Sequence, residues 1–118
     1  MRKRLPSDIE EAIVAIIETI LREHIGRENA IKGARILEML RRYEPILSDR
    51  KMRQLIEDQL PSTCSCNKGY FIARDDKEAR PVVKYLTSYI IALSKRRSAI
   101  ITKYPDAGQM NFDFRGQP

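Results

Sequence analysis

The chemistry-bearing side chains of this chain are few and loosely spaced. Cys64 and Cys66 bracket one serine, so on a strand both thiols share a face, but a four-ligand metal site needs more donors than the single histidine, His24, can add. Two buried or half-buried thiols are the simpler expectation. Asp75, Asp76 and Glu78 have the spacing of a helix start, where carboxylates complement the dipole, ahead of the spacing of a divalent-metal site. His24 follows Glu23 near the end of an apolar helical pattern, a position that suits a capping cation or a surface residue. No glycine loop cradles phosphate, and no nucleophile sits with a plausible base. The sequence therefore predicts no enzyme, no metal and no cofactor.

The elements around these residues are mainly helical. Pro6-Ser7-Asp8-Ile9-Glu10 reads as a capping box, with Ser7 and Glu10 as its two sides. Ile9, Ile13, Ile16, Ile17, Ile20 and Leu21 recur behind it at helical spacing, and Gly26 suits a C-terminal cap. Asn29-Ala30-Ile31 suggests a brief strand. A second helix is expected from about Lys32 to Arg42, and Pro45 prevents its continuation. Ser48 caps a third helix from Asp49 to about Gln59, whose Met52, Leu55 and Ile56 form one apolar stripe. Thr63 to Cys66 and Tyr70 to Ala73 then flank Asn67-Lys68-Gly69, the pattern of a hairpin with a tight turn.

From Asp75 to Tyr104 the pattern is one long helix. Ala79, Val83, Leu86, Ile90, Leu93, Arg97, Ile100 and Tyr104 alternate steps of four and three, which is a heptad seam. Pro81 fits its first turn or a kink. The seam can pack on the first helix or pair with a second copy, and a homodimer through Val83, Leu86, Ile90, Leu93 and Ile100 is the preferred expectation. Arg97, at a seam position, either sets register or meets an acidic partner. Asp106 to Pro118 reads as a mobile tail.

The chain has 118 residues, 42% of them hydrophobic, and 22 basic against 16 acidic side chains give a net charge of +6. That is enough apolar material for one packed domain, and too much for a disordered chain. No apolar run approaches a membrane span, because Glu10, Glu11 and Glu18 interrupt the longest one. The basic start Met1-Arg2-Lys3-Arg4 runs into Pro6-Ser7-Asp8, unlike a secretion signal. Two cysteines one residue apart suit a reducing compartment. The expectation is a small, soluble, basic, cytoplasmic protein.

Helix, short strand, helix, turn, helix, hairpin is also the order of a known superfamily. From Ile31 to Ala73 the chain resembles the winged helix-turn-helix DNA-binding proteins, of the small bacterial or phage type. Lys32-Gly33-Ala34-Arg35-Ile36-Leu37 opens the first helix of the motif. Ser48-Asp49-Arg50-Lys51-Met52-Arg53 opens the second, and Asn67-Lys68-Gly69-Tyr70-Phe71-Ile72 matches the wing. The resemblance implies a winged helix-turn-helix domain over residues 1–74, a long C-terminal helix over 75–104 and a tail over 105–118. It also implies duplex DNA as partner and association with the nucleoid.

With Met52, Leu55 and Ile56 turned inward, helical geometry puts Arg50, Gln54 and Glu57 roughly opposite, with Arg53 on the flank. Arg50 and Gln54 can make paired hydrogen bonds to base edges, guanine for the first and adenine for the second. Ser48 and the amides at the helix start can hold phosphate. Arg35, Lys51, Arg41, Arg42 and, at the wing tip, Lys68 are candidates for backbone contacts. The useful positive charge is expected on the second and third helices and the wing, with a further cluster at Lys95-Arg96-Arg97. The same charges can equally be the solvated face of a protein-contact module.

The tail carries Gln109-Met110-Asn111-Phe112-Asp113-Phe114, three large apolar residues in a polar setting. It resembles the hexapeptide by which bacterial replication and repair proteins dock on the sliding clamp. Gln109 and Phe114 occupy the first and closing positions, Met110 the second, and Phe112 stands where leucine is usual. The resemblance implies clamp docking through Gln109, Met110, Phe112 and Phe114 and a role in DNA replication or its control. The residues alone also allow self-packing on the protein's own core, or another partner. Alternative readings of the whole chain are a dimeric transcriptional repressor, and an adaptor or inhibitor of replication machinery that does not touch DNA.

Overall fold

A computed structural model describes residues 5–109. They form a mainly helical protein with one small antiparallel hairpin. The helices are α1 (Ser7–Leu21), α2 (Gly33–Leu40), α3 (Asp49–Gln59) and α4 (Asp76–Lys103), and the hairpin strands are β1 (Cys64–Cys66) and β2 (Gly69–Phe71). Packing divides the chain into two units inside α4, Met1–Val82 and Val83–Pro118.

In the first unit α1 packs on both α2 and α3, and α2 packs on α3. Ile13, Ile17 and Leu21 of α1, Ile36, Leu37 and Leu40 of α2, and Met52, Leu55 and Ile56 of α3 converge with Ile31 and Leu47 in one core. Burying each large aliphatic side chain contributes about 1.5–3 kcal/mol, so these faces fix the three-helix arrangement.

Local chemistry departs from expectation at both ends of α1. The Ser7–Glu10 capping box does not form. Pro6 is the N-cap, its carbonyl accepting from Ile9 N at 3.1 Å and Glu10 N at 3.0 Å. Ser7 is already helical, and the Glu10 carboxylate is drawn to Lys51 instead, at 2.8 Å. Gly26 does not cap the helix, which ends at Leu21. Gly26 instead lies beyond it with φ at 96°, where its N–H donates to the Ile72 carbonyl at 2.8 Å.

The brief strand expected at Asn29-Ala30-Ile31 shrinks to one residue. Arg27–Asn29 is a 3-10 turn, and only Ile31 pairs, exchanging two 2.8 Å backbone hydrogen bonds with Tyr70. α2 is shorter than expected at each end. α3 begins and ends as expected, and the Ser48 hydroxyl accepts from Lys51 N at 3.0 Å.

In the hairpin Cys64 pairs with Phe71, Ser65 with Tyr70 and Cys66 with Gly69, leaving Asn67-Lys68 as the loop. Within the hairpin, positive φ falls on Gly69, at 126°. Gly69 is obligatory for a second reason: a Cβ there would stand 2.1 Å from the Ile31 carbonyl oxygen.

α4 is entered through a side-chain clamp. Asp75 accepts from Glu78 N at 3.0 Å, and the Glu78 carboxylate accepts from Arg74 N at 2.7 Å and from Arg27 N at 2.9 Å. The Arg74 guanidinium pairs with Glu28. Pro81 lies in the second turn rather than the first, where it removes one helical hydrogen bond.

In the second unit α4 continues to Lys103 and buries none of its residues. The segment expected as a mobile tail opens with regular structure, and its residues 110–118 lie outside the described residues. Pro105–Gly108 is a 3-10 turn, held by Ala107 N donating to the Tyr104 carbonyl at 2.9 Å and by Gly108 lying against Ile101. No helix of the described residues is long and apolar enough to cross a membrane.

Two predictions follow from these contacts. Gly69→Ala should lower unfolding free energy by about 1–3 kcal/mol in a denaturant titration, through strain at positive φ and the clash with Ile31. The two amides facing Glu78 hold its carboxyl below the ordinary carboxylate range, with the Arg74 charge assisting. A lowered folded-state pKa gives stability that is present above the unfolded value and lost as pH falls through the folded one. Wild type should therefore lose more stability than Glu78→Gln between about pH 6 and about pH 3, read as a steeper fall in melting temperature.

Candidate nucleic-acid interface

α3 is oriented as its apolar stripe requires. Met52, Leu55 and Ile56 are buried, and Arg50, Arg53, Gln54 and Glu57 are exposed. Among the described residues Arg50 has no ionic partner, so its guanidinium remains free to fork onto a planar acceptor. Gln54 follows one turn later on the same face. The Ser48 cap leaves the helix start exposed, and the hydroxyl hydrogen is still available as a donor while the oxygen accepts from Lys51 N.

The other expected contact residues are differently placed. Lys51 is half-buried and paired with Glu10 across the α1–α3 packing, so its charge is already neutralised. Arg53 pairs with Asp49 at 2.9 Å, one helical turn back. Arg35 lies 3.7 Å from Glu38, and both are well exposed. Arg41 Nε donates to the Leu47 carbonyl at 2.9 Å, which braces the turn between α2 and α3. Lys68 stands exposed at the hairpin tip.

A residue absent from the sequence-based set, Lys32, aligns that tip: its Nζ donates to the Asn67 carbonyl at 3.1 Å, tying the hairpin loop to the start of α2. Tyr70 supports it from below, with its ring close to Gly33 and its phenol pushed up by burial. No spacing rule announces these ties, since their partners lie 35 or more residues apart in the chain.

The expected cluster at Lys95-Arg96-Arg97 belongs to a larger basic excess on the last helix. Over residues 5–78 acidic side chains outnumber basic ones. Among the described residues the excess lies on α4, where Arg80, Lys84, Lys95, Arg96, Arg97 and Lys103 occur with no Asp or Glu between Ala79 and Pro105; Arg2, Lys3 and Arg4 add further positive charge to the chain. The seam residues of this helix are exposed: Val83, Leu86, Ile90, Leu93 and Ile100 all keep about half of their surface in water. The Tyr85 and Tyr89 rings stack with centroids 6.5 Å apart. Further along, Leu93, Arg96, Arg97, Ile100, Ile101 and Ala107 line an open groove of about 360 Å³.

The cysteines form no reactive pair. Cys64 is buried, which raises its thiol pKa, and Cys66 is half-buried; both are free. The His24 ring is engaged locally, its Nδ1 2.6 Å from the Asn29 carbonyl oxygen. No cluster of three metal-ligating side chains occurs among the described residues. Gln109 is exposed just after the last 3-10 turn, whereas Met110, Phe112 and Phe114 lie outside the described residues.

No protein-family model matches the chain, and neither a curated protein nor a solved structure matches it.

The Lys51–Glu10 pair has a measurable signature. A double-mutant cycle with Glu10→Gln and Lys51→Met should give a coupling of about 0.5–1 kcal/mol. Arg50→Ala should change stability by less than about 0.5 kcal/mol.

Proposed function

We propose that the chain is a DNA-binding protein of winged helix-turn-helix type, bacterial or phage in character, that acts in DNA replication or its control. The observation that carries this reading is the exposed amino-terminal half of α3. Among the described residues the Arg50 and Gln54 side chains have no partner, and they stand exposed on a helix anchored by its opposite face. Two further features support it. The Ile31–Tyr70 pairing joins the hairpin to the segment leading into α2, which is what a wing packed beside the helix-turn-helix requires. The Lys32–Asn67 bond fixes the hairpin tip that carries Lys68. The role of residues 109–114 in this reading is to dock on a sliding clamp, which ties the protein to replication rather than to repression.

A second reading, a protein-contact adaptor that does not touch DNA, draws support from the acidic excess over residues 5–78. The dimeric repressor needs two copies of a helix with six basic and no acidic residues to lie together over Ala79 to Tyr104, and is the weaker alternative.

Duplex DNA titrated against the full chain by fluorescence anisotropy separates the first two. Arg50→Ala or Gln54→Ala should cost about 1–3 kcal/mol of affinity for a preferred site. Binding should weaken with salt in proportion to the phosphates contacted. Retention of partner capture by Arg50→Glu, with no DNA binding by wild type, would establish the adaptor. For the tail, deletion of residues 109–114 should abolish retention of the protein on immobilised bacterial clamp and leave the melting temperature unchanged.

A further inference from the structure

We propose that the exposed seam of α4, from Val83 to Tyr104, docks an acidic amphipathic helix of another protein. This inference is independent of the DNA-binding reading. Its starting point is a face with two properties that rarely coexist on a helix left in water. Val83, Leu86, Ile90, Leu93 and Ile100 recur at heptad spacing and are about half exposed, and Tyr89 and Tyr104 extend the same stripe. Together these side chains offer on the order of 700 Å² of surface, close to one partner's share of a standard stable interface.

Charge identifies the occupant. Arg97 occupies a core position of the heptad, Arg96 and Lys103 flank it, and the helix has no acidic residue between Ala79 and Pro105. A second copy would bring the same bases and no acids. In a parallel pairing Arg97 would face itself, and in either direction every formal charge along the paired helices would be positive. A helix with apolar residues at heptad positions and carboxylates beside them turns that repulsion into attraction. The groove of Leu93, Arg96, Arg97, Ile100, Ile101 and Ala107 is suited to one such turn, with an apolar anchor between Leu93 and Ile100 and a carboxylate forked by a rim guanidinium. Nucleic acid makes poor use of the five aliphatic side chains. A flat lipid surface would require Arg97, in the centre of the stripe, to sink with them.

The test uses the full-length protein and two labelled three-heptad peptides with Ile and Leu at the core positions. One carries Glu at the flanking positions and the other Lys. The Glu peptide should bind at least about tenfold tighter than the Lys peptide, and its affinity should fall steeply between low and high salt. Arg97→Glu and Leu93→Ser should each weaken it about tenfold or more, with circular dichroism unchanged because both side chains are exposed. Sedimentation equilibrium should give a monomer. Equal binding of the two peptides overturns the proposal. So does a wild-type dimer that Leu93→Ser dissociates, which would assign the seam to a second copy. Binding of neither peptide, with Arg97-dependent capture of phosphatidylglycerol vesicles or duplex DNA, overturns it as well.

Discussion

Two backbone hydrogen bonds between Ile31 and Tyr70 lock the hairpin onto a first unit whose three helices are fixed by their shared apolar core. They join the segment leading into α2 with the hairpin that follows α3, and so close a loop around the three-helix core. Everything near the candidate interface depends on that closure. Gly69 must be a glycine because the Ile31 carbonyl approaches it; Lys32, next in sequence, reaches the hairpin loop; and Tyr70 lies against Gly33. One residue in extended conformation thereby does the work of a strand. The adjacent parallel bridge between Ile25 and Ile72 extends the tie to the segment following α1.

Periodicity made α3, its Ser48 cap and its buried stripe legible to the residue, because one amphipathic helix with a side-chain cap needs no distant information. The hairpin was legible for a similar reason, with glycine marking the turn. What the pattern missed depends on distant partners. Ser7 and Glu10 have capping-box spacing, but Glu10 finds a stronger use in the Lys51 ammonium, far along the chain. Gly26 looks like a helix cap, yet its amide is taken by Ile72. Of the basic residues expected at the interface, Arg50 and Lys68 keep the exposure assigned to them, while Lys51, Arg53 and Arg35 lie beside carboxylates. A count of bases on a motif overstates its field when carboxylates stand beside them, on the same helix as Asp49 and Glu38 do or on another element as Glu10 does.

The distribution of charge therefore separates two kinds of work. The first unit carries a nearly balanced surface with a few uncommitted cationic groups, an arrangement suited to selecting geometry rather than to attracting polyanions from a distance. The helix beyond Ala79 has the opposite character, a one-signed field over apolar relief. Its inability to bury that relief within itself is a property of a single helix, whose every side chain faces outward unless another surface is brought to it.

The chain has no tryptophan, and three of its five tyrosines, Tyr85, Tyr89 and Tyr104, stand exposed on or at the end of α4. Only Tyr70 is packed against the core of the first unit. Native ultraviolet emission is thus an unequal witness: it speaks mostly for the solvent-facing helix and little for the folded centre. Quenching by iodide would be enhanced there by the surrounding cations. The stacked Tyr85–Tyr89 pair gives that helix a built-in optical label, read without any chemical modification.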